Sequence, residues 1–184
     1  EGGNTQRFID LKGLEFTARG IQRLEERSGS WHAYLTPLER RTYDYFGGGQ
    51  DIHGAMVTHN DRLEVFTGSD YIETHWRLHA PHPLVGQELF VVGAFTQHQC
   101  LPEFQLQYDA AQQAYTHKAL LKQGYMDYML VARDANAQPG DPGSLADLEG
   151  SHFQTNNLYT LVVYYDDWDG YDRVIGLAQW ETNP

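Results

Sequence analysis

The sequence predicts an all-β fold in which two sheets pack face to face, and three observations carry that expectation. Short alternating or doubly apolar runs recur between clusters of Gly, Pro, Asn and Asp, with no sustained helical period. The 184 residues include 12 Tyr and 18 Gly, a mixture that strands and turns favour over long helices. Two segments, 89–95 and 158–165, are apolar at consecutive positions, as in a strand buried on both sides. The length suits one well-buried core, so residues 1–184 are taken as one sandwich domain. Within it, 1–60 supply N-terminal strands and a surface excursion, and 61–184 the central body.

Taken in order, FIDLKGLEF (8–16) and GIQRLEERSGSWHAYLTP (20–37) read as strands broken by glycine. The second contains a hairpin whose turn is Ser28-Gly29-Ser30, since small turn-forming residues between alternating runs suit a tight connection. PLERRTYDYFGGGQDIHG (37–54), with three consecutive glycines, reads as a surface excursion. From Tyr71 the period of two is sharp, with Ile72, Thr74, Trp76 and Leu78 on one side and Glu73, His75, Arg77 and His79 on the other. PHPLVG turns the chain into LFVVGAF, which ends at the polar loop TQHQ. Two alternating runs around Asp109-Ala110, the strand YMDYMLVAR (125–133), a turn-rich loop over 135–150, the run LYTLVVYY and a last strand RVIGLAQWE complete the chain.

A formal net charge of −12, with no Lys/Arg cluster to neutralise phosphates, excludes nucleic acid as an expected partner. Cys100 is alone, so neither an internal disulfide nor a cysteine zinc cluster can form. No apolar stretch approaches the roughly 20 residues that span a bilayer as a helix, and no membrane insertion is expected. The chain begins at Glu1 and reads as part of a longer protein.

His75, His79 and His82 invite a metal reading, but on a strand only His75 and His79 share a face, roughly 13 Å apart at about 3.3 Å per residue. That is too far for one zinc ion, and no metal is expected there. Asp166, Asp167, Asp169 and Asp172 crowd one loop, yet the spacing fails the EF-hand pattern and solvated acids are expected. Trp168, flanked by acids at a loop tip, is costly to expose without a partner, so it either contacts a partner or packs back onto the sandwich. No Gly-x-Ser-x-Gly elbow, phosphate loop or HExxH helix is present, and neither enzymatic activity nor a cofactor is expected.

FVVGAFTQHQ and LQYDAAQQAYTHKALLKQGYMDYMLV resemble the starch- and glycogen-binding-like modules of the early-set immunoglobulin group. Gly93 and Phe95 match the family's Gly-x-Phe strand end, and Gly124, Tyr125, Tyr128 and Val131 its following strand. The resemblance implies an immunoglobulin-like (early-set) β-sandwich carrying an N-terminal strand and hairpin extension. In sugar-binding members a tryptophan after Gly-x-Phe stacks on glucose, whereas His98 stands here. Imidazole is a much smaller stacking platform, which counts against sugar binding, but the early-set pattern and four tryptophans keep a carbohydrate-binding module as the alternative reading.

A closer resemblance covers residues 7–177. RFIDLKGLEF, GSWHAYLTP, LFVVGAFT with LLKQGYMDYMLV, and EGSHFQTNNLYTLVVYYDDWDGYDRVIG are similar to the plug protein family of the type IX secretion system, from Bacteroidetes-type bacteria. The family favours a tryptophan shortly after Gly-x-Phe, and TQH replaces that element here. The resemblance implies a periplasmic, non-enzymatic module preceded by a similar sandwich domain. It also implies that the module docks on the outer-membrane translocon channel protein and blocks its lumen when no cargo passes. A small-molecule ligand is not expected. The candidate partner-binding residues are Phe95, Gln97 and His98 in the loop after the first doubly apolar run, and Tyr165, Trp168 and Tyr171 about the second.

Overall fold

Residues 3–14, 18–43, 52–61, 69–155, 157–166, 168, 170 and 172–182 are described by the computed structural model. The strands are β1 (Arg7–Asp10), β2 (Ile21–Arg27), β3 (Ser30–Leu35), β4 (Met56–Thr58), β5 (Tyr71–His79), β6 (Gln87–Gly93), β7 (Gln105–Asp109), β8 (Ala114–Lys122), β9 (Gly124–Asp134), β10 (Leu158–Asp166) and β11 (Asp172–Glu181). Nine of these form one hydrogen-bonded sheet, eight of them in the order β1-β9-β6-β7-β8-β5-β3-β2 and β4 off that path beside β9. β6 meets β7 through only Leu89–Leu106 and Phe90–Gln105, and strands on either side of that junction share one buried cluster, so β1, β4, β6 and β9 make one layer and β2, β3, β5, β7 and β8 the other. The architecture is all-β, mostly antiparallel and layered, and among the described strands β3 and β5 run parallel. Among the described residues no helix is long and apolar enough to cross a membrane.

Period-two patterning decides what fills the space between the layers. Ile9, Leu89, Val91, Met126, Tyr128 and Leu130 of the first layer belong to the same buried cluster as Ala33, Ile72, Trp76, Leu78, Tyr115 and Leu121 of the second. β5 follows the expected alternation, with Ile72, Thr74, Trp76 and Leu78 all buried. β6 is covered on both faces. Its Leu89 and Val91 enter the core, whereas Phe90, only 1% exposed, lies beneath the Arg133 guanidinium 4.5 Å from its ring. Gly93 is required by proximity rather than by a special dihedral, because a Cβ there would fall 2.6 Å from the Asp127 carbonyl oxygen. Between β2 and β3, Ser28 and Gly29 adopt φ of 51° and 81°, the positive values a two-residue hairpin turn demands.

The N-terminal strands are integral to the layers, since β1 pairs with β9 and contributes Ile9 to the core. The loop after β9 returns to lay Ser144 beside Ala132 through two backbone hydrogen bonds of 2.7 and 3.0 Å. Its Glu149, fully buried, accepts from Arg7 Nε at 2.8 Å, Arg41 Nε at 2.6 Å and the Leu130 amide at 2.9 Å.

One expectation is overturned. LYTLVVYY does not lie in the interior: β10 pairs with β11 in a separate two-stranded ribbon, and Leu158, Leu161, Val163, Tyr164 and Tyr165 are exposed. Apolar residues on both faces specify what a strand can cover, not what covers it.

His117, directly across from Trp76 on the core side of β8, sits with its ring 5.7 Å from the indole. Burial pushes its pKa down, opposed by a backbone hydrogen bond at Gln105. The unfolded chain therefore binds the proton more readily, so this stability is present above about pH 6.5 and is lost as pH falls below it. His117→Phe is expected to flatten that acid-side loss, checked by comparing urea midpoints of both proteins across this range. His75 shifts in the same direction by burial, so only part of the slope should disappear.

Candidate functional site

Three surfaces hold chemistry-bearing residues. The first is the loop after β6, a short 3-10 turn at Ala94–Thr96. Thr96 is buried and its hydroxyl both accepts from the Gly93 amide and donates to the Gly93 carbonyl, fixing the turn. Phe95 is half-buried and packs on Phe104 at 5.3 Å, and Phe104 lies 5.7 Å from His117, so Phe95 belongs to an aromatic series running inward. Gln97 and His98 are exposed with φ of 53° and 56°. His98 lies over the Gly54 turn, which Asp127 holds by accepting from the Ile52 and Gly54 amides at 2.6 and 3.3 Å. Replacing His98 with Trp should change stability by no more than about 1 kcal/mol, as befits an exposed loop position, measured by thermal unfolding.

The second surface is the β10–β11 arm. Tyr159 stacks on Trp180 at 5.5 Å, and Leu161–Ala178 and Val163–Gly176 continue that face. Val162–Leu177 and Tyr164–Val174 lie on the other, so both sides of the ribbon are apolar. A register shift falls between Val163 and Tyr164. Tyr165 is 48% and Trp168 100% exposed, which places both at the solvent-facing end of the arm. Tyr171 lies outside the described residues, as do Asp167 and Asp169, and nothing is described of the Asp172 side chain; the expectation for the acidic loop rests there.

The third surface was missed by sequence spacing. On the outer face of β3 and β5, His32 Nδ1, His75 Nε2 and Glu73 Oε1 come within 3.2 to 3.3 Å of one another. Parallel pairing sets His32 beside Glu73 and Tyr34 beside His75. Tyr34 stacks on His75 at 4.2 Å, while the Arg23 guanidinium stands 4.0 Å over the same ring. Both groups cannot occupy one face, so the tyrosine offers no open face to a sugar. Burial holds His75 below its usual pKa, with Glu73 pulling it upward. Alongside runs an open groove of about 920 Å³ lined in part by Gln22, Arg77, Gln107, Gln112 and Lys118. His79 takes no part in this cluster of three. A histidine pair across two strands that are 43 residues apart leaves no periodic signal in the sequence. Cys100 is half-buried, burial raises its thiol pKa, and its sulfur lies 3.4 Å from the Pro142 carbonyl, all of which oppose nucleophilic use.

No protein family matches the chain, and no curated protein matches it in sequence. Among solved structures, a hypothetical protein from Parabacteroides merdae ATCC 43184 superposes with a TM-score of 0.88 at 22% identity. The match covers 98% of this chain and 45% of that one, so the chain spans less than half of that protein's length. The likeness is one of fold.

Proposed function

We propose that this chain is a non-enzymatic periplasmic docking module, a sandwich of the early-set immunoglobulin type. On this reading it docks on an outer-membrane translocon channel, the role of the type IX secretion plug it resembles, and the β10–β11 arm is the part that makes the contact. The observation that carries the reading is the arm itself. A two-stranded ribbon on its own is marginal in water; among the described residues β10 and β11 pair only with each other, and Leu161, Tyr164, Ile175, Leu177 and Trp180 stay between 51% and 65% exposed. Tyr and Trp of this kind contribute disproportionately to protein interfaces, and a rigid layered body behind them lowers the ordering cost of docking. The resemblance over 7–177 supplies the identity of the partner, and the fold shared with a Bacteroidetes protein is compatible with it.

Co-purification from cell envelopes tests the proposal. The native protein is expected to come down with the translocon channel, and a variant with Leu161, Leu177 and Trp180 changed to Ser should lose the channel while remaining folded. Failure of the native protein to associate when the channel carries no cargo would remove the docking role.

A further inference from the structure

We infer that His32, His75 and Glu73 form a binding site for one zinc-class divalent cation on the outer face of the β3–β5 pair, separate from the arm. The three candidate ligand atoms make a nearly equilateral triangle with sides of 3.2, 3.2 and 3.3 Å. In a tetrahedral site with bonds of about 2.0–2.1 Å, ligand atoms are separated by about 3.3–3.4 Å, so the triangle is one face of such a tetrahedron.

Hydrogen bonds can satisfy only two of the three edges at a time. If both ring nitrogens carry hydrogen, each can donate to the carboxylate, but the nitrogens then meet hydrogen to hydrogen. If one is bare, its lone pair faces the lone pairs of Glu73 Oε1. A cation bound by all three atoms would satisfy the edge that protons leave over, since each lone pair then points at the metal. Two imidazoles and a carboxylate suit zinc, cobalt or nickel and disfavour magnesium and calcium, which take oxygen.

The local fold supports the ligands. Tyr34 stacking fixes the His75 ring plane, and the sheet fixes the spacing of the two strands. Side-chain exposures of 17% for His32, 22% for His75 and 25% for Glu73 leave a fourth position open to water or an incoming ligand. His75 and Lys118 also line the adjoining groove. Lys118 Nζ stands 3.5 Å from both Glu73 oxygens and is 66% exposed, so it steadies the carboxylate while its charge opposes the cation.

Titration of the metal-free protein with Co²⁺, followed by visible absorption and displaced with Zn²⁺, tests the site. One cobalt per chain with the intense absorption of tetrahedral coordination is expected. His32→Gln and His75→Gln should each weaken binding by at least about tenfold, a loss seen even for outer-shell changes at metal sites. Lys118→Met should tighten binding, and His79→Gln with His82→Gln should leave it unchanged. Circular dichroism of the metal-free variants checks that each is folded. Absence of tetrahedral absorption, or folded His32→Gln and His75→Gln variants binding as well as the parent, would overturn the site.

Discussion

Replacing Glu149 with alanine is expected to destabilise the fold by about 3–5 kcal/mol, the cost of removing one member of a buried ion pair. The carboxylate is the meeting point of three chain segments: Arg7 from β1, Arg41 from the loop after β3, and the Leu130 amide in β9. Arg7 and Arg41 retain only 11% and 12% side-chain exposure, so without Glu149 two guanidinium groups remain close together and poorly hydrated. The Leu130 amide loses its acceptor as well. Glu149→Gln keeps the shape and an acceptor but not the charge, and should cost less than alanine. Urea unfolding measures both. A midpoint for Glu149→Ala indistinguishable from that of the parent would contradict the buried placement.

Trp76→Ala is the second large effect, at about 3–5 kcal/mol, the range for emptying a buried aromatic site. Trp76 is 1% exposed at the centre of β5, edge-on to Tyr128 at 6.4 Å and 5.7 Å from His117. It bridges the two layers, so its loss leaves a cavity that neither sheet can close without moving its strands. Trp168→Ala supplies the contrast, because an exposed side chain at the arm's end should change folding stability by less than about 0.5 kcal/mol. Equal losses at the two positions would mean that the layers are not held by Trp76.

Much of the layered body was legible from local patterning. The alternation from Ile72 to Leu78 identified the buried side of β5 because period two acts within one strand. Ser28-Gly29 announced its turn because positive φ limits which residues fit. The burial of Phe90 also followed from its neighbours, although the covering group is a distant arginine. By contrast, 158–165 has the same doubly apolar pattern as 89–95 and ends outside the core. The difference lies in pairing: β6 has neighbours on both edges, whereas β10 pairs only with β11 among the described residues. The cluster of His32, Glu73 and His75 depended on strand order for the same reason. Sequence set His75 against His79 on one strand, while the folded sheet brought it His32 from the next. Of the loop residues, Gln97 and His98 reach the surface as a loop tip should, and Phe95 turns inward onto Phe104.

A photoreactive amino acid at position 168, introduced into the native protein in intact cell envelopes, tests the docking account most directly. Irradiation is expected to give an adduct with the outer-membrane channel, and the same probe at exposed Leu120 on β8 should give none. No channel adduct from position 168, or equal adducts from both positions, would contradict docking through the arm.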